Sequence, residues 1–136
     1  MAVNNKPIFT GTSSIGNATI TNSTTAVQCF PASGSISADG AYIQKLRVRL
    51  KTASSTVSTV LRVYIKNDNT STSYLFDEIN IPITTISTTA ISATFELPMN
   101  IAVPSGHSIT VKYDTAPGTT TVTDITVFGG SYTAQA

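Results

Sequence analysis

Lys45-Leu46-Arg47-Val48-Arg49-Leu50-Lys51 decides the fold class. Three aliphatic side chains alternate with four basic ones. At 180° per residue all four cations share one face, and Leu46, Val48 and Leu50 share the other. The competing reading is a helix, because Ile43, Leu46 and Leu50 have helical spacing. It fails on the charges, which at 100° per residue would point to opposite sides of the cylinder. The stretch is therefore read as a strand buried on one side.

The same alternation recurs along the chain. Leu61, Val63 and Ile65 face inward while Arg62, Tyr64 and Lys66 face outward. The turn Asn67-Asp68-Asn69 allows a return strand near Tyr74 to Ile81. Further alternating sets are Ile91/Ala93/Phe95/Leu97, Ile109/Val111/Tyr113 and Thr123/Ile125/Val127. Ala18-Ile20 and Val27-Cys29 suggest two weaker strands. Turn signals fall between the runs: Asp39-Gly40, Pro98, Pro104-Ser105-Gly106, Ala116-Pro117-Gly118 and Gly129-Gly130. Short β-branched runs at this spacing predict an all-β protein of about eight strands in two packed sheets.

With 136 residues the chain suffices for one domain and not two. Residues 17–136 are expected to form a single β-sandwich domain. Residues 1–16 read differently, as an N-terminal arm with Ile8-Phe9 as its hydrophobic anchor, or else as an end packed on its own domain. Composition then excludes several function classes. Charged residues make up only 11%, and 8 Lys+Arg against 7 Asp+Glu leave a net charge of +1. That balance cannot neutralise a phosphate track, so no nucleic-acid partner is expected. No run approaches the ~18 apolar residues of a membrane span. No apolar segment follows Met1–Lys6, so no secretory signal is expected either. The lone Cys29 has no partner within the chain for a disulfide, and is read as a small buried hydrophobe.

The chemistry-bearing residues form no constellation. His107 is the only histidine, two residues after Ser105, with no acid in a defined relation to it and no nucleophile elbow around the serine. Asp77 and Glu78 are adjacent and so point to opposite faces of a strand. Asn67-Asp68-Asn69 lacks the glycine and the later glutamate of a calcium loop. No catalytic residue, metal ligand or cofactor is assigned, and the chain is not expected to be an enzyme.

Charge segregation is the sharpest feature. Six of the eight basic residues lie between Lys45 and Lys66, and six of the seven acidic ones lie from Asp68 onward. If the two basic strands pair, Lys45, Arg47, Arg49, Arg62 and Lys66 line one outer sheet face. Like charges directly opposite are unfavourable. Compensation then comes from Asp77, Glu78 or Glu96 on a neighbouring strand, or from an acidic surface on a partner.

The order of segments resembles a group of small tailed-phage virion proteins. The resembling pieces are Pro7-Ile8-Phe9, Ile43 to Leu50 followed by Lys51-Thr52, and Leu61 to Ile65. Phe76-Asp77-Glu78-Ile79, Ala102 to Ile109 and Val127-Phe128-Gly129-Gly130 complete them. The similarity spans roughly residues 7 to 130, with Thr/Ser-rich loops here in place of the acidic and Gly-rich loops frequent in that group. The resemblance implies a jelly-roll-like antiparallel β-sandwich in the particle shell or tail. It implies a decoration, or cement, protein on the capsid surface that clamps adjacent capsomers, with the major capsid protein and its own copies, as a homotrimer, for partners. Assembly in the host cytoplasm follows from the same likeness. Ile8, Phe9 and the basic residues Lys45, Arg47, Arg49, Arg62 and Lys66 are the expected contact residues. Two other readings stand beside it: a tail or baseplate structural protein, and a carbohydrate-binding adhesion module.

Overall fold

Ile43, Leu46, Val48 and Leu50 all point into the core, although the first two are three residues apart rather than two. A β-bulge accounts for this. Gln44 is inserted between Ile43 and Lys45, so two successive side chains face outward before alternation resumes. The helix-like spacing of Ile43, Leu46 and Leu50 is thus produced by a kinked strand.

A computed structural model describes residues 8–21, 23–50, 58–83, 94–117 and 122–134. They form eight strands and no helix: β1 (Ile8–Thr21), β2 (Val27–Phe30), β3 (Ala41–Leu50), β4 (Thr59–Asn67), β5 (Thr72–Ile81), β6 (Thr94–Val103), β7 (His107–Tyr113) and β8 (Val122–Ala134). The two four-stranded sheets are ordered β1-β8-β3-β6 and β2-β7-β4-β5, and every pairing is antiparallel. Successive strands alternate between the sheets except at the β4–β5 hairpin, the arrangement of an eight-stranded jelly roll. The fold class expected from alternation is the one observed. Of the expected inward set Ile91/Ala93/Phe95/Leu97, the first two lie outside the described residues.

The core lies between the sheets. The first sheet contributes Leu46, Val48, Ile125 and Val127, the second Leu61, Val63, Ile109 and Val111, all at zero exposure. Each such side chain stabilises the fold by about 1.5–3 kcal/mol relative to exposure. Cys29 is buried in the same core, its thiol donating to the carbonyl of Ile109 at 3.3 Å. Burial pushes that thiol up to about 12, so it remains un-ionised and unreactive at neutral pH. Tyr113, also buried, exchanges a 2.7 Å hydrogen bond with Thr123 across the two sheets.

Two turn signals prove to be strand residues. Pro98 lies inside β6, which pairs only with β3. A proline is tolerated in an edge strand because its missing N–H removes no ladder bond. Gly129 and Gly130 lie inside β8. A Cβ on Gly129 would stand 2.5 Å from the carbonyl oxygen of Tyr42, so glycine there permits a close approach of backbones rather than a turn. The boundary expected between residues 16 and 17 also falls within a strand. β1 runs from Ile8 to Thr21 and pairs β8 along its length, Ile8 opposite Ala134 and Thr21 opposite Val122, with one bulge at Gly11.

Candidate interface on the outer sheet faces

β3 and β4 do not pair. They belong to different sheets. The expected single basic face is therefore two faces. Lys45, Arg47 and Arg49 lie on the outside of the first sheet, Arg62 and Lys66 on the outside of the second. Alternation reports which residues share a side of one strand. It carries no information about which strands are neighbours.

Register sorts the first outer face into rows crossing all four strands. Ile15, Phe128, Lys45 and Pro98 form one row; Asn17, Thr126, Arg47 and Glu96 the next; Thr19, Asp124, Arg49 and Thr94 the third. Side chains bond within and between these rows. Thr126 donates to Asn17 at 3.2 Å and Thr19 to Asp124 at 2.9 Å. Arg47 donates to Oε1 of Glu96 through Nη2 at 2.7 Å and Nε at 3.0 Å, and the Lys45 ammonium lies 3.5 Å from the same oxygen. The hydrogen bond from Arg47, then the charge of Lys45, hold the Glu96 carboxyl below its ordinary range. Lys45 and Arg47 also sit over the ring of Phe128, at 5.2 and 5.5 Å from its centroid. These groups are surface-exposed, so solvent screens each ion pair and its contribution to stability is small.

On the second outer face Arg62 lies between Asp114, at 3.2 Å, and Glu78, at 3.4 Å. Lys112 stands directly across from Arg62 in the neighbouring strand. The acidic chains compensating the basic ones include Glu96 and Glu78, on neighbouring strands, with Asp114 joining them and Asp68 3.9 Å from Lys66. Asp77 occupies the opposite side of β5 from Glu78, opposite Val63, as adjacency requires.

Ile8 and Phe9 are the first two residues of β1, across from Ala134 and Thr133. β3 joins β8 only from Ser131 onward, so the start of β1 and the end of β8 extend past it as a two-stranded ribbon. Tyr74 and Leu75 on β5, with Ile83 just beyond it, are largely exposed, and β5 has no partner on its outer side among the described strands. Sequence reasoning did not single out this edge. Its signal was present in Tyr74-Leu75-Phe76, three consecutive large apolar residues that alternation cannot bury together.

His107 turns its Nδ1 to the backbone carbonyl of Ser105, 2.9 Å away, rather than to the serine hydroxyl. Asp68 accepts from Ser35 at 2.6 Å and from Ser108 at 3.1 Å, tying the β4–β5 turn to two neighbouring segments. Among the described residues no group of three or more His, Cys, Asp or Glu is placed to hold a metal, and no helix is long and apolar enough to cross a membrane.

No protein-family model matches the sequence, and no curated protein matches it. Solved structures do. A chain of the acidic stable capsid structure of Helicobacter pylori bacteriophage KHP30 is similar with a TM-score of 0.61 at 12% identity, over 96% of this chain and 98% of that one. A chain of the cyanophage Pam1 capsid asymmetric unit is similar at a TM-score of 0.43 and 12% identity, over 93% of this chain and 86% of that one. At such identity the likeness to the first is one of fold.

Proposed function

We propose that this chain is a structural protein of a phage virion, acting as a decoration protein that binds the outside of the capsid and stabilises contacts between capsomers. One observation carries the reading: the whole jelly roll, end to end, matches nearly the whole of a chain in a phage capsid structure. Two features of the surface support it. The sequence-level resemblance to small virion proteins concerns structural segments and brings no reactive group with it. The surface offers contact features on several sides: the β1–β8 ribbon, the exposed apolar residues of β5 and the basic rows of β3.

The mechanism is cohesive. Each copy buries a patch on the major capsid protein and on its own neighbours. Weak contacts then sum through linked copies, since each bound contact raises the effective concentration for the next. A homotrimer with threefold symmetry matches a threefold site on an icosahedral shell. Ile8 and Phe9 on the ribbon, with Lys45, Arg47 and Arg49 on the first sheet, are the contact residues we assign. Arg62 and Lys66, on the opposite side of the sandwich, contact a different neighbour.

Reconstitution tests this. Particles lacking the protein are mixed with purified chain and the bound copies are counted. Saturable binding is expected. The double charge reversal Arg47→Glu/Arg49→Glu is expected to lower occupancy at least tenfold, with the fold kept because the affected pairs are exposed. Absence of binding contradicts the decoration role, and unchanged occupancy of the variant removes the β3 cations from it.

A further inference from the structure

The outer face of the first sheet is not flat. Where Gly129 leaves the β8 backbone bare, a depression of about 340 Å³ opens, lined by Ser13, Ser14, Ile15, Tyr42, Gln44 and Phe128 together with Gly129. A second depression, of about 160 Å³, adjoins it through Gln44 and is lined also by Lys45, Glu96, Pro98 and Asn100. Together they make a trough across all four strands. The bulge at Gln44 produces it. The bulge sets Gln44 facing outward between the rows, and on the facing strand it is met by Asn100 at the positive φ of 49°.

From this trough we infer a binding site for a neutral saccharide on the free chain, a role beyond cohesion of the particle, on the face that docking through Lys45, Arg47 and Arg49 covers. Its lining combines what a sugar ring requires. Tyr42 offers apolar ring surface to the C–H side of a pyranose, and Phe128, with Lys45 and Arg47 over its ring, adds apolar surface beside it. Gln44, Asn100, Ser13 and Ser14 offer amide and hydroxyl groups, each both donor and acceptor, to its hydroxyls. The volume lies in the range of small-ligand sites. The walls are held before any ligand arrives. Tyr42 donates its hydroxyl to Oδ1 of Asn100 at 2.9 Å, and Phe128 is flanked by Lys45 and Arg47, which Glu96 anchors. Such pre-organisation reduces the ordering cost of binding. The same Glu96 excludes an anionic ligand as the preferred one. Of the residues lining the trough only Lys45 and Glu96 are charged, and they lie 3.5 Å apart as an ion pair, so the lining carries no net charge. Ile15, 55% exposed on the rim, adds apolar surface beside the aromatic pair.

Saturation-transfer NMR on the full chain tests this, with glucose, galactose, mannose, N-acetylglucosamine and their disaccharides as ligands and sialic acid as the anionic control. Saturable binding of at least one neutral sugar is expected. Gln44→Ala, at a fully outward position, is expected to weaken it about fivefold, the loss of one hydrogen bond. Ser13→Trp, which fills the trough from an exposed site, is expected to abolish it while leaving the circular dichroism unchanged. No transfer from any neutral sugar overturns the inference. So does binding of sialic acid alone, or binding that both variants leave intact. The assay uses purified protein, so its outcome is separate from whether the chain attaches to a capsid.

Discussion

Gly16→Ala is expected to destabilise the protein by about 3 kcal/mol or more, lowering the melting temperature by about 10 °C or more. Gly16 lies on β1 where that strand crosses over β2, closing one side of the sandwich. A Cβ at this position would collide with the backbone carbonyl of Cys29, and its next neighbours are the carbonyl carbon of Cys29 and the Cα of Phe30, at 2.9 and 3.0 Å. All three are backbone atoms of a strand fixed by its pairing with β7, so none can swing aside as a side chain would. Relief requires β1 to lift, which opens the core over Cys29 and Phe30. Gly34→Ala is the control. Gly34 has a φ of +70° but nothing within 4 Å of an added Cβ, so only backbone strain of about 1 kcal/mol is expected there. Thermal unfolding of the two variants separates steric closure from conformational strain. Equal losses would contradict the packing of β1 on β2.

Leu46→Ala is expected to cost about 2–5 kcal/mol, the range for truncating a large aliphatic side chain in a packed core. Leu46 is wholly buried, set between Val127 of β8 and Leu97 of β6. Removing its side chain leaves a void that three rigid strands close only in part. The residue beside it supplies the contrast. Arg47 faces out, and Arg47→Ala is expected to cost far less, because solvent screens its exposed ion pair. Denaturant unfolding of the two variants reads the orientation of β3 directly. Comparable losses would mean that the strand does not present alternate faces to core and solvent.

Orientation of this kind was legible in the sequence, because a strand buried on one side records its burial every second residue. Leu61/Val63 and Ile109/Val111 each follow that rule and each lie in the core. Neighbour relations were not legible. β3 and β4 are consecutive and both basic, yet they sit in different sheets, so the expected basic face divides in two. Two local signals also have more than one meaning. Gly129-Gly130 serves a close approach of β8 to β3 instead of a turn, and Pro98 is accommodated by an edge strand. The candidate saccharide trough depends on a one-residue insertion at Gln44. Its trace in the sequence is the three-residue step from Ile43 to Leu46, which by itself reads equally well as a helix. Tyr42, Phe128 and Asn100 converge through cross-strand register alone, and their separation along the chain conceals it.

Membership in the virion is the claim on which the functional account rests, and three-dimensional imaging of the particle examines it most directly. Virions carrying the chain are compared with virions made without it. The expected difference is density for a jelly roll of 136 residues on the outer surface of the shell, repeated at threefold positions and absent without the gene. Shells that are indistinguishable, or a difference confined to the tail, would contradict the decoration role.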